Sequence, residues 1–167
     1  YYTAAIEQYR AFEAGLQSLG DDADSNPELA TIKRVHRGTA AIRMAHGLGI
    51  LGEYGQAADA LATAIVHTPQ NVDLRTERIR MLVRAGRMDE ATREAGDLVH
   101  QTDAGPEAVK LMLAVYHHAN RYEDGLAALR QILTRQPDNV ALWLLYADTL
   151  ADRGKSCLLY TSDAADE

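Results

Sequence analysis

Gly52, Gly86, Asn120 and Gly154 stand 34 residues apart, and that interval constrains this chain more than any other feature. A period in this range belongs to stacked helical hairpins, each too small to bury its apolar face without a neighbour. The same residue types return at fixed offsets from the turn. Two residues on come Tyr54, Met88 and Tyr122, five on come Ala57, Ala91 and Gly125, and twelve on come Ala64, Leu98 and Ile132. Pro69, Asp103 and Pro137 stand seventeen on. Upstream, Leu48, Leu82, Tyr116 and Leu150 form a column four residues before the turn, and Ala45, Ile79, Leu113 and Ala147 form one seven before it.

These columns describe a helix pair joined by a sharp turn. Ala45 opposite Ala57 and Ala64 permits close approach of the two axes. A residue that tolerates left-handed backbone ends the first helix, which explains the recurring Gly and the Asn at 120.

The pattern resembles the tetratricopeptide repeat, a 34-residue helix-turn-helix. The best copy is 39–70, with Ala45, Leu48, Gly52-Glu53-Tyr54, Ala57, Ala64 and Pro69. The copy at 106–138 carries Tyr116, Asn120, Tyr122 and Pro137, and a final half-copy supplies Trp143, Ala147, Leu150 and Gly154. The copy at 72–105 keeps Gly86, Glu90 and Ala91. It departs by placing Arg75 and Arg78 where large apolar residues are expected and Ile79 where a small one is. The resemblance implies an all-α fold, a right-handed α-solenoid of stacked antiparallel hairpins. It divides the chain into a partial repeat (1–19), a loop (20–27), repeats at 38–71, 72–105 and 106–139, and a half-repeat at 140–155.

Composition bounds what such a chain can do. With 47% hydrophobic and 25% charged residues it is a folded polypeptide rather than a disordered one. No apolar run reaches the roughly 18 residues that a membrane span needs. The net charge of −7 disfavours non-specific nucleic-acid binding, which requires a basic surface. The last eleven residues, CLLYTSDAADE, resemble the in-frame translation of a sequencing adapter and are set aside as non-native (157–167). Without Asp163, Asp166 and Glu167, 21 acidic residues face 17 basic ones, a net charge of −4. The remainder then has no cysteine, since Cys157 is the only one. That excludes disulfides, thiolate metal sites and Cys nucleophiles. The missing start Met and this tail suggest a gene fragment, and 14 Arg against 3 Lys suggests a GC-rich, bacterial source.

Helical spacing of Ala5, Tyr9, Phe12, Leu16 and Leu19 predicts an amphipathic helix over 1–19. A loop follows, with Ser25 or Asn26 as cap and Pro27 at the first helical position. One long helix is expected over 28–51, bent near Gly38, and shorter ones over 56–67, 72–85, 89–101, 106–119 and 123–135. The last helix, capped by Asn139, should end near Asp152 and leave Trp143, Leu145, Tyr146 and Leu150 on an exposed apolar face.

The chemical motifs are unconvincing. Adjacent His117 and His118 point about 100° apart on a helix and no third ligand stands in register, so a polar, partner-facing role outweighs a metal site. Gly47, Gly49 and Gly52 follow a helix rather than a strand, without the Lys-Ser/Thr of a phosphate loop. Asp21, Asp22 and Asp24 lack the later bidentate Glu of a calcium loop. The recurring Tyr and Met residues are read as core. No cofactor and no enzymatic activity are expected.

What remains is a binding face. In the resembled repeat the first helices of each pair line a concave groove. On them Ile42, Arg43, His46, Thr76, Glu77, Arg80, Arg84, Lys110, His117, Asp148 and Asp152 point away from the second helices. The expected partner-binding set is Arg43, His46, Glu77, Arg80, Arg84, Lys110, His117 and Asp148, whose basic members can grip carboxylates of an extended peptide. The paired Asn residues of the chaperone-binding carboxylate clamp are absent, which disfavours chaperone tails. The implied role is a protein-protein interaction scaffold with a protein or peptide partner. The alternative is an accessory region of a larger enzyme of glycosyltransferase or sulfotransferase type, or of an envelope polysaccharide-export or pilus-assembly protein.

Overall fold

The computed structural model describes residues 2–18, 27–101 and 105–163. Among these are eight α-helices and no strand: α1 Tyr2–Ser18, α2 Pro27–Ile50, α3 Tyr54–His67, α4 Val72–Arg84, α5 Met88–Gln101, α6 Pro106–His118, α7 Tyr122–Arg135 and α8 Val140–Asp163. The acidic loop, its capping residues and Asp103 lie outside the described residues. The chain forms two compact units, Tyr1–Glu94 and Ala95–Glu167.

Three of the four turn-column residues do what the period requires. Gly52, Gly86 and Asn120 have φ of 82°, 74° and 55°, the left-handed region that only Gly and Asn enter readily. Each closes the same pair of hydrogen bonds. The Glu53 N–H donates to Leu48 O at 2.9 Å and Gly52 N–H to Gly49 O at 3.2 Å. Arg87 and Gly86 repeat this onto Leu82 and Val83, and Arg121 and Asn120 repeat it onto Tyr116 and His117. This double bond is the Schellman motif, which satisfies carbonyls left over at a helix end and reverses the chain at once.

Gly154 behaves differently. The helix predicted to end near Asp152 continues through it to Asp163. A glycine permits a left-handed turn without compelling one. At Gly52 and Asn120 a second helix, α3 or α7, packs on the first and rewards the reversal.

In the first unit α3 packs between α2 and α4, and α1 packs on α2. The predicted small-residue contact is present: Ala45, Ala57 and Ala64 are all buried. Gly38 does not interrupt α2. It is buried, and a Cβ there would meet His67 Cβ at 3.8 Å, so the extra length of α2 passes the end of α3. Gly47 and Gly49 are packing positions too, approached by Ile6 of α1 and Met81 of α4, each at 3.4 Å from a built Cβ.

Despite Arg75 and Arg78, α4 buries the same two columns as α2, since Ile79 and Leu82 are buried as Ala45 and Leu48 are. Arg78 is accommodated rather than expelled. Its Nε donates to Ala58 O at 3.0 Å and its guanidinium pairs with Glu94. Desolvation lowers the Arg78 pKa, but these partners keep the charge satisfied.

In the second unit Val109, Met112 and Val115 of α6, Leu126, Leu129 and Ile132 of α7 and Leu142 of α8 are buried, and the three helices pack on one another. The tightest approach is at Gly125, where a Cβ would lie 3.0 Å from Tyr116 Cβ. Asn71 caps α4 by accepting from Leu74 N–H at 3.1 Å, and Asn139 accepts from Leu142 N–H at 3.4 Å. Of the four residues expected on the exposed apolar face of the last helix, Trp143 and Leu150 are 48% and 37% exposed while Leu145 and Tyr146 are half-buried; Leu144, not among the four, is 62% exposed.

Candidate functional site: clefts on the first helices

A hairpin that buries its small residues against its own second helix leaves the opposite face of each first helix free. In the first unit this produces a cleft of about 350 Å³ between α2 and α4. Its floor is apolar, with Ala45, Leu61 and Met81 buried and Gly49 half-buried, and its rim carries His46, Glu77 and Arg84. Ile42 and His46 also line a second cleft of about 390 Å³ between α1 and α2, together with Arg43, Tyr2 and Tyr9. Arg84 lies with its guanidinium carbon 5.5 Å from the Tyr54 ring centroid, a cation–π contact that orients it without neutralising it. Arg80 is exposed outside both clefts and pairs with Glu77 at 3.4 Å. Of the expected set, the fold therefore brings together His46, Glu77 and Arg84, and Arg43 with His46.

In the second unit a cleft of about 480 Å³ opens between α6 and α8. Leu113 and His117 come from α6, Asn120 and Tyr122 from the turn, and Thr149 and Asp152 from α8. The Tyr122 hydroxyl donates to Thr149 O and ties the start of α7 to α8. Lys110 and Asp148 are exposed but stand apart from this cleft, and Lys110 pairs with Glu107 at 2.8 Å. The His117 and His118 rings are 6.2 Å apart at 80°, edge to face. Among the described residues no group of three His, Cys, Asp or Glu is placed to hold a metal ion.

A family model described as tetratricopeptide repeat matches residues 42–109, and a second with the same description matches 106–149. The chain is a tetratricopeptide-repeat protein. Such repeats generally mediate protein-protein interactions and are typically non-catalytic scaffolds. Comparison with curated proteins and with solved structures gave no match. Among the described residues no helix is long and apolar enough to cross a membrane.

Two features of this tetratricopeptide-repeat chain escaped sequence reasoning. The first is the column two residues past the turn, read above as core. Tyr54, Met88 and Tyr122 are only half-buried, and Tyr122 forms part of the α6–α8 cleft. A hydroxyl beside a ring was the available signal, since a phenol needs a polar partner that a core does not provide. The second is the arginine after the turn at Gly86. Arg87 donates from Nε and Nη2 to both oxygens of Glu90, at 2.6 and 2.7 Å, and from Nη1 to Asp59 at 2.7 Å. These bonds raise the Arg87 pKa further above its ordinary value and hold the Glu90 carboxyl below its usual range. Arg87 thus joins α3 to the start of α5 and lines neither of the first-unit clefts.

Proposed function

We propose that this protein is a non-catalytic scaffold that binds a peptide or partner protein on the exposed faces of its first helices, with Arg43, His46, Glu77, Arg80 and Arg84 in one unit and Lys110, His117 and Asp148 in the other. The observation that carries this reading is the α2–α4 cleft, where an apolar floor built from three helices is rimmed by side chains of both charges. Apolar concavities with a few polar groups at the edge are the usual form of a recognition site. The floor is fixed by hairpin packing, so the protein loses little conformational freedom on binding and a modest set of contacts suffices. The second-unit cleft is shallower in this respect, lined by half-buried Leu113, Tyr122 and Thr149 with His117 and Asp152 exposed beside them.

The test is selection of displayed random peptides on the full chain, followed by fluorescence anisotropy of the recovered peptides. Gly49→Leu places a side chain into the α2–α4 cleft. The only atoms near its Cβ belong to the flexible end of Met81, so the fold tolerates it. Binding should weaken by about tenfold or more, roughly the burial of one to two methylene groups. Recovered peptides that bind Gly49→Leu as tightly as the parent, with an unchanged helical circular dichroism spectrum, place recognition outside this cleft.

A further inference from the structure

We propose that the α2–α4 cleft selects a segment in which an apolar side chain is followed or preceded, within a few residues, by a carboxylate. The inference rests on the reading of this cleft as a binding site and specifies the chemistry of its occupant. The floor offers only hydrocarbon and thioether contact from Ala45, Leu61 and Met81, which suits one inserted aliphatic or aromatic side chain. At about 350 Å³ the cavity lies near the lower end of the roughly 300–1,000 Å³ range of ligand sites, enough for an anchor side chain.

The rim decides the charge. Glu77, the one acidic group on it, already pairs with Arg80. Arg84 has no carboxylate partner among the described residues, and its one polar or ring partner there is the Tyr54 ring. That ring holds the planar fork in place while leaving its N–H groups available. A guanidinium so placed is a preorganised receptor for a carboxylate, which it binds through charge-assisted and often bidentate hydrogen bonds. Arg43, on the adjoining α1–α2 cleft that shares Ile42 and His46, extends the positive potential along the same face. A lysine or arginine beside the anchor would meet Arg84 as a like charge and be rejected.

The experiment sequences the peptides recovered on the full chain and measures each by anisotropy against the parent, Arg84→Glu, and Arg93→Glu as a charge-reversal control on α5. Asp or Glu should be enriched within three residues of the apolar anchor. Changing that residue to Asn or Gln should weaken binding to the parent about tenfold, and Arg84→Glu, which sets a like charge against the peptide carboxylate, should weaken the acidic peptide by about tenfold or more and the neutral peptide less. Arg93→Glu should leave affinity unchanged. Binders with neutral or basic neighbours, or acidic binders indifferent to Arg84→Glu, overturn the charge assignment. Loss of binding in Gly49→Leu without loss in Arg84→Glu overturns it while leaving the cleft as the site, and indifference to both removes the cleft as well.

Discussion

Gly86→Ala and Gly15→Ala make the same chemical change within the first unit and should shift stability in opposite directions. Neither glycine has any atom within 4 Å of a built Cβ, so packing and clash drop out and backbone conformation alone remains. Gly86 sits at φ 74° in the Schellman turn. An L-residue there costs roughly 1–2 kcal/mol, and the narrower unfolded ensemble of Ala returns roughly 0.4–1 kcal/mol, leaving a net loss of about 1 kcal/mol. Gly15 lies inside α1, where Ala is favoured over Gly by roughly 0.5–1 kcal/mol. Equilibrium urea denaturation followed by far-ultraviolet circular dichroism reads both, since a change in midpoint at constant slope is a change in stability. Asn120→Ala should resemble Gly86→Ala, while Asn120→Gly should change little. Equal signs for Gly86→Ala and Gly15→Ala would refute the view that the 34-residue column exists to supply left-handed backbone.

Arg78→Ala should destabilise by about 2 kcal/mol, because it removes the donor to Ala58 O and leaves Glu94 without its partner; Arg78→Met refills the side-chain volume but restores neither partner, so in thermal denaturation it should recover only the packing part of the loss. Gly125→Val should cost roughly 1–3 kcal/mol by the same measurement, since even a Cβ stands 3.0 Å from Tyr116 Cβ and added methyls force α6 and α7 apart. The Glu90 carboxyl is held below its ordinary value of 4.5 by Arg87, so its contribution is complete above that value and is lost as pH falls below it through the folded-state pKa. Glu90→Gln should flatten that part of the acid-denaturation curve and leave stability above pH 6 less dependent on salt.

Which parts of this molecule can be read from its residues follows from what repetition does to selection. A stacked hairpin asks the same thing of the same position in every copy: left-handed backbone at Gly52, Gly86 and Asn120, small volume at Ala57, Ala91 and Gly125, a buried apolar side chain at Ala64, Leu98 and Ile132. These demands recur at one period, so helices, turns and core were legible without coordinates. Exceptions arise where a copy solves the demand differently. Arg78 stands in an apolar column because Ala58 O and Glu94 are within its reach, a tertiary circumstance that no local pattern announces. Gly154 marks a turn only where a following helix packs back. The proposed binding face obeys the opposite rule. His46, Glu77 and Arg84 occupy positions that stacking leaves unconstrained, so each copy is free to differ there and no column identifies them. Helical phase could say that they point outward. It could not say that His46 and Arg84 share a cleft with Met81 while Arg80, one turn before Arg84, stands outside it. On the proposed reading, specificity resides in these aperiodic residues, and a substitution that respects the period outside the clefts, such as Gly86→Asn, should leave recognition untouched, whereas Arg84→Glu should alter recognition with little effect on stability.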